Sequence, residues 1–232
     1  MNIIYEDNHI LVVEKPCNIA SQGDDTGDKD LLTMCKEYLK EKYNKPGNVY
    51  CGLVHRLDRP VGGIMVFAKT SKAASRLSES IRTNNFHKTY LAVVVDNNDN
   101  LKNKSTLQDY MIKNEALNKS MVCDKNKKGS KEAILDYEVI EKASLDKPSI
   151  KNIKLVKINL KTGRHHQIRV QFSSRGYPLY GDQKYGSGPK GEQIALWAYK
   201  ITFKHPTKDE EMTFECKPKN YGIWSNFSIE SI

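Results

Sequence analysis

The sequence predicts an α+β fold: one domain over residues 1–232, built on a long, mixed and mostly antiparallel sheet flanked by helices and loops. Three observations carry this. Ala133, Leu135, Tyr137 and Val139 alternate with polar residues, as do Val156, Ile158 and Leu160, the period of strands packed on one face. Apolar residues recur at helical spacing in a few short stretches between such runs. No internal repeat, long low-complexity tract or strong linker divides the chain.

The elements follow in order. His9 to Lys15 reads as a short strand that runs into Pro16. Ser21 to Asp30 is rich in Gly and Asp and reads as a loop. Leu32, Cys35 and Leu39 predict a helix over Leu31–Tyr43, stopped by Lys45-Pro46-Gly47. Ile64 to Ala68 is a compact apolar run, predicted as a buried strand. Ser71 can cap a helix reaching about Arg82, with Ala74, Leu77 and Ile81 on one face. Tyr90 to Val95 is a further apolar strand. Asp96–Lys104 and Lys125–Lys131 read as loops around the two alternating strands. Ile168 and Phe172, four apart, suit a helix over His165–Ser174 with Gly176 as its stop. The last strands are predicted over Ile194–Phe203 and Met212–Cys216.

The chain carries 37 Lys+Arg against 28 Asp+Glu, a net +9, which points to a polyanionic partner without choosing among RNA, DNA and acidic membrane surfaces. No apolar run nears the roughly 20 residues that span a bilayer, and no secretory signal opens the chain. The five Cys are odd in number, scattered, and form no C-x-x-C pair; reduced thiols in a cytoplasmic protein are expected, not a disulfide framework or a zinc site. Only seven of the basic residues are Arg. A Lys-rich chain reserves Arg for planar or bidentate recognition. All seven lie within residues 54–92 and 158–204, the two segments richest in net positive charge.

Three segments could carry chemistry. In His55-Arg56-Leu57-Asp58-Arg59-Pro60-Val61-Gly62-Gly63, a lone Asp is usually just solvated. Here it sits among cations that hold it ionised, beside glycines that admit a ligand close to the backbone. Such an Asp suits a nucleophile or a base. In Lys161-Thr162-Gly163-Arg164-His165-His166-Gln167-Ile168-Arg169, a helix would put His165 and Arg169 on one face. The tandem His invites a metal, but no Cys, Asp or Glu lies at ligand spacing, so none is expected. In His87-Lys88-Thr89-Tyr90, Tyr90 opens an apolar strand, where a Tyr is usually a core or rim residue. There is no phosphate loop, nucleophile elbow or dinucleotide fingerprint, which removes nucleotide triphosphatases, serine hydrolases and dinucleotide enzymes.

Taken together and in order, these segments resemble the RluA family of RNA pseudouridine synthases. VHRLDRPVGGIMVFAKTSKAA is similar to that family's catalytic motif, KTYLAVV to its tyrosine motif and LKTGRHHQIRVQFSSRGYPLYGDQKYG to its third motif. ILVVEKPCNIASQ, KEAILDYEVIE and ITFKHPTKDEEMTFECKP are similar to its other strands, so the likeness runs from about Ile3 to Pro218. The resemblance implies a pseudouridine synthase fold and an isomerase that converts uridine to pseudouridine within RNA. Asp58 would be the essential aspartate, acting on the sugar, on the base or as a base. Tyr90 would stack on the uracil and help the final proton removal. Arg169 would pair with the Asp58 carboxylate. Arg56 would fill the gap left by the flipped uridine. His55, Arg59, Lys88, Arg164, His166 and Gln167 join Arg56 as expected RNA contacts. No metal or organic cofactor, no membrane and no obligate protein partner is expected; the implied state is a cytoplasmic monomer acting on ribosomal rather than transfer RNA.

The sequence also departs from the family. Its usual Thr-Ser after HRLD and two variable residues is Val61-Gly62 here, and its late Leu-His-Ala is Leu196-Trp197-Ala198. Many relatives carry an S4-type RNA-binding domain ahead of the catalytic one. This sequence starts on the latter, which implies RNA recognition by the catalytic domain alone. The competing reading is a non-catalytic RNA-binding protein on a decayed synthase fold. The presence of Asp58, Tyr90 and Arg169 together argues against it. A DNA-binding or membrane-surface module would rest on charge alone.

Overall fold

The computed structural model describes residues 1–186 and 191–232. Among the described residues, eleven strands and three α-helices form the α+β architecture expected. The strands are β1 (Asn2–Glu6), β2 (Ile10–Lys15), β3 (Gly52–Leu53), β4 (Gly62–Ala68), β5 (Phe86–Val95), β6 (Lys104–Asn114), β7 (Lys119–Cys123), β8 (Lys131–Lys147), β9 (Ile150–Leu160), β10 (Leu196–Lys204) and β11 (Glu211–Glu215). The helices are α1 (Leu31–Lys42), α2 (Ser71–Arg82) and α3 (Gln167–Ser173). Hydrogen bonding orders the strands β1-β2-β4-β10-β5-β9-β8-β6-β7, with β11 on β10 and β3 on β4. Among the described residues no helix is long and apolar enough to cross a membrane.

The described residues cluster into two compact units: Met1–Lys88 with Ala198–Cys216, and Thr89–Trp197 with Lys217–Ile232. In the first, β2 pairs antiparallel with β1 and β4. Ile10 to Val13 and Ile64 to Ala68 are fully buried, as expected of continuous apolar runs. α1 starts at Asp30, whose Oδ1 accepts the Thr33 N–H at 3.1 Å. α2 is capped by Thr70 rather than Ser71: the Thr70 hydroxyl accepts the Ala73 N–H at 3.2 Å, and Ser71 is the first helical residue. Leu77 of the expected stripe is buried, joined by Ala73, while Ala74 and Ile81 are half-buried.

In the second unit, β9, β8, β6 and β7 form antiparallel pairs. Ala133, Leu135 and Tyr137 face the core as their alternation predicts. The β6–β7 hairpin has no counterpart in the sequence reading, since Leu107 and Met111 are spaced by four and β7 offers only Ser120 as a buried residue. α3 starts later than predicted. His166 stands before it in the left-handed region at φ 55°, so His165 and Arg169 do not share a helical face. A buried ion pair, Lys154 with Asp96 at 2.6 Å, pins the loop after β5, and Asp96 also accepts the Leu101 N–H at 2.9 Å.

Candidate active site

The first unit presents Asp58 on a loop held from both sides. The Val61 N–H closes a turn on the Asp58 carbonyl at 2.9 Å, and the Asp58 side chain is half-buried. Before it, the buried Ser21 hydroxyl accepts the Leu57 N–H at 3.1 Å and donates to the Leu57 carbonyl at 2.8 Å. After it, Lys15 reaches the Arg59 carbonyl. Lys15 is fully buried, and its ammonium donates to the carbonyls of Pro16 at 3.0 Å, Ile19 at 2.5 Å and Arg59 at 3.0 Å. Burial pulls its pKa down to about 8, against the upward pull of Cys17 and Asp58. Ser21 and Lys15 therefore fix the backbone flanking Asp58. Neither was among the site residues expected from the sequence, although both lie in a quoted segment.

Gly63 closes the loop into β4 with φ +120°, and a Cβ there would sit 2.2 Å from the Ala198 carbonyl oxygen. A side chain has neither the space nor the backbone conformation it needs. Gly63→Ala is expected to destabilise the fold by about 3 kcal/mol or more, read as a lowered midpoint in denaturant unfolding. Val61 and Gly62, which replace the family's hydroxyl pair, are both buried, so the variation puts apolar groups where hydroxyls would need partners.

The expected RNA contacts of this unit divide. Arg56 is exposed and makes no hydrogen bond or ion pair among the described residues. Lys88 is half-buried over the Phe86 ring at 6.0 Å, and desolvation lowers its pKa. Two others are built into the fold. His55 accepts the Val66 N–H at Nε2, 3.1 Å away, and its ring meets Phe86 at 5.4 Å. Burial, then the charge of Lys88, pushes its pKa down to about 3, so the ring is neutral at physiological pH and offers phosphate no charge. Arg59 donates to the Asn18 carbonyl and to Asp24, Thr26 and Asp28, which ties the acidic loop to the Asp58 turn.

In the second unit, Tyr90 is buried within β5, which begins four residues earlier at Phe86. Arg169 lies on α3, 5% exposed, and its Nε and Nη2 donate to the two oxygens of the fully buried Asp182 at 2.8 and 2.7 Å. Asp182 also accepts the N–H groups of Lys184 and Tyr185 at 2.9 and 3.1 Å. Burial raises its pKa, but the bonds and charge of Arg169 outweigh this and hold the carboxyl below the usual range. The Arg169 guanidinium further lies over the Tyr185 ring at 5.2 Å. Asp182 and Tyr185 were not expected as site residues; both stand in the quoted GDQKY stretch.

The left-handed turn at His166 stacks its ring on His165, with centroids 3.6 Å apart. His166 Nδ1 meets the Tyr185 hydroxyl at 2.7 Å and His165 Nδ1 meets the Ser120 hydroxyl at 2.9 Å. Arg164 is exposed and donates through Nε to the Glu132 carbonyl at 2.7 Å. Gln167 is a correction: it is 3% exposed and all its amide bonds stay within the fold. Its Oε1 accepts from Thr162 and the Arg164 N–H, and its Nε2 donates to the Ile134 carbonyl and Gln171. With both amide ends satisfied, Gln167 shapes the turn and is not available to RNA.

The first unit offers an aspartate on a clamped loop; the second offers a buried arginine and a buried tyrosine. Among the described residues no group of three or more His, Cys, Asp or Glu could hold a metal ion.

Comparison with known proteins gives a concordant picture. Residues 9–174 match the family model described as RNA pseudouridylate synthase. The chain is 36% identical over 231 residues to an uncharacterized RNA pseudouridine synthase of Aquifex aeolicus, covering 93% of this chain and 68% of that one. It is 29% identical to ribosomal large subunit pseudouridine synthase D of Zymomonas mobilis, covering 94% and 69%. The solved structure of human RNA pseudouridylate synthase domain containing 4 superposes with a TM-score of 0.76 at 20% identity, covering 97% of this chain and 90% of that one.

Proposed function

Because the chain belongs to the RNA pseudouridylate synthase family, we propose that it isomerises uridines in structured ribosomal RNA, with Asp58 as the essential carboxylate. The single observation that carries the site assignment is the clamped Asp58 turn, where Ser21 and Lys15 fix the peptide groups on both sides of the carboxylate. Such preorganisation holds a reactive group in place without reorganisation at the moment of reaction.

The reaction breaks the C1′–N1 bond, turns the uracil and joins C1′ to C5. The C5 proton leaves and N1 gains one, so atoms and charge balance with no redox step. Asp58 supplies the carboxylate, as nucleophile or as base. Tyr90 lies against the uracil and assists loss of the C5 proton. Arg169 keeps the Asp58 carboxylate charged and oriented. The uridine must be flipped out, because its reacting atoms are hidden in a stack. Arg56 fills the vacancy, a role supported by its exposed guanidinium, which has no partner among the described residues. Lys88 and Arg164 contact phosphate, while His55 and Arg59 position the loop. The ribosomal target is suggested by the name of the Zymomonas relative. The two units serve as one catalytic domain, which acts as a cytoplasmic monomer.

The test maps pseudouridine at single-nucleotide resolution in ribosomal and transfer RNA from cells with and without the gene. Loss of ribosomal sites supports the reading; unchanged maps of both RNA classes overturn it. Arg56→Lys keeps the charge but removes the planar group. It is expected to slow modification at least about tenfold with an unchanged thermal midpoint. Wild-type rates from that variant would remove the stacking role.

A further inference from the structure

The structure redistributes the positive charge that the sequence concentrated on arginine. Arg59, Arg82, Arg169 and Arg175 are ion-paired with Asp24 and Asp28, Glu79, Asp182, and Asp109 respectively. Arg76 and Arg164 donate to the carbonyls of Pro206 and Glu132. Uncompensated charge gathers instead along β7, the loop after it and the start of β8. Lys119, Lys125, Lys127, Lys128 and Lys131 are all exposed, and none forms an ion pair among the described residues. The carboxylates nearby are few: Asp124 is turned onto the Asn126 N–H, Glu115 is paired with Lys113, and Glu132 is bonded to Gln108.

A second observation ties this patch to the candidate site. β7 is the last strand in the order and is bolted to the third motif. The Ser120 N–H donates to the Tyr185 hydroxyl at 2.8 Å, its hydroxyl meets His165, and Lys184 donates to the Asn118 carbonyl at 2.9 Å. Tyr185 in turn carries His166 and lies under Arg169. Within this unit the lysines are therefore tied to the turn that carries His166 and to Tyr185 under Arg169.

We propose that β7 and the loop after it form a phosphate-holding arm for the RNA flanking the modified nucleotide. This rests on the synthase reading. Exposed ammonium groups spaced along a strand and a loop suit a polyanionic backbone, and lysine fits where point charges rather than base readout are needed. The arm sets RNA affinity and register, and the motif residues perform the chemistry.

The experiment compares the whole protein with a variant carrying Lys119→Gln, Lys127→Gln, Lys128→Gln and Lys131→Gln. The probe is large-subunit ribosomal RNA transcribed without modification, with binding measured across a salt series. Losing these contacts should lower the slope of log affinity against log salt by about 3 to 4, so that raising salt from about 50 to about 200 mM weakens the variant roughly a hundredfold less than wild type. KM should rise roughly tenfold, by more than kcat falls. The same four positions changed to Arg should restore the slope. A control carrying Lys36→Gln, Lys40→Gln and Lys72→Gln, exposed residues of α1 and α2, should keep the wild-type slope. An unchanged slope, or a lowered slope with unchanged KM, overturns the arm. Pseudouridine assayed in the same preparations separates the two readings: product with an unchanged slope removes the arm alone, and a lost slope with no product from wild type removes the synthase reading alone.

Discussion

Asp58→Asn is expected to reduce pseudouridine formation by on the order of a thousandfold or more while leaving the fold in place. The substitution keeps the shape of the side chain and removes its charge and its nucleophilic oxygen. The backbone beside it is held by Ser21 on Leu57 and by Lys15 on Arg59, and neither bond uses the Asp58 carboxylate. The thermal midpoint, measured alongside, separates lost chemistry from lost stability. Single-turnover conversion of ribosomal RNA by purified protein reads the effect directly. Activity within tenfold of wild type would show that the carboxylate is not essential.

The second large effect is on stability. Arg169→Met is expected to cost about 3–5 kcal/mol at neutral pH, because it leaves the fully buried Asp182 carboxylate uncompensated. The pH dependence has a definite sign. In the wild type the Asp182 pKa is depressed, so its contribution is present above the ordinary carboxylate range and is lost as pH falls below about 4. Without Arg169, burial raises that pKa, and the penalty of the variant should shrink as pH is lowered from neutrality. The double change Arg169→Met with Asp182→Asn should recover most of the stability, since the Asn oxygen can still accept the N–H groups of Lys184 and Tyr185. It should recover no activity if Arg169 has its proposed role. Urea unfolding at several pH values measures the first part, and conversion of RNA measures the second.

Much of the fold was legible because its core strands are written as apolar runs or clean alternation. Ile10 to Val13, Ile64 to Ala68 and Ala133 to Tyr137 each admit one reading. The β6–β7 hairpin was hidden because its strands contribute few buried side chains and mix lysine with polar residues. The break before α3 was hidden because His166 adopts a left-handed backbone that neither its type nor its spacing announces. The motif residues were found through resemblance, whereas their supports were not. Lys15 and Asp182 look like surface charges in a one-dimensional sequence and become supports only when burial removes water from them. The reverse holds for Gln167 and Arg59, which the resemblance implied as RNA contacts but whose bonds are made within the fold.

The buried ammonium of Lys15 is expected to couple local opening in the first unit. One nitrogen caps carbonyls on two separate chain segments, at Pro16 and Ile19 on one side and at Arg59 on the other. Neither segment can swing out alone without stripping a buried charge of its ligands, so the two open together or not at all. Local opening of this kind is slow and cooperative, and amides on both segments should exchange with solvent on one shared clock. Because burial depresses the Lys15 pKa to about 8, the closed form holds the proton less tightly than the opened one, and raising pH from about 8 towards the ordinary lysine range should make this opening rarer once base-catalysed intrinsic exchange is subtracted.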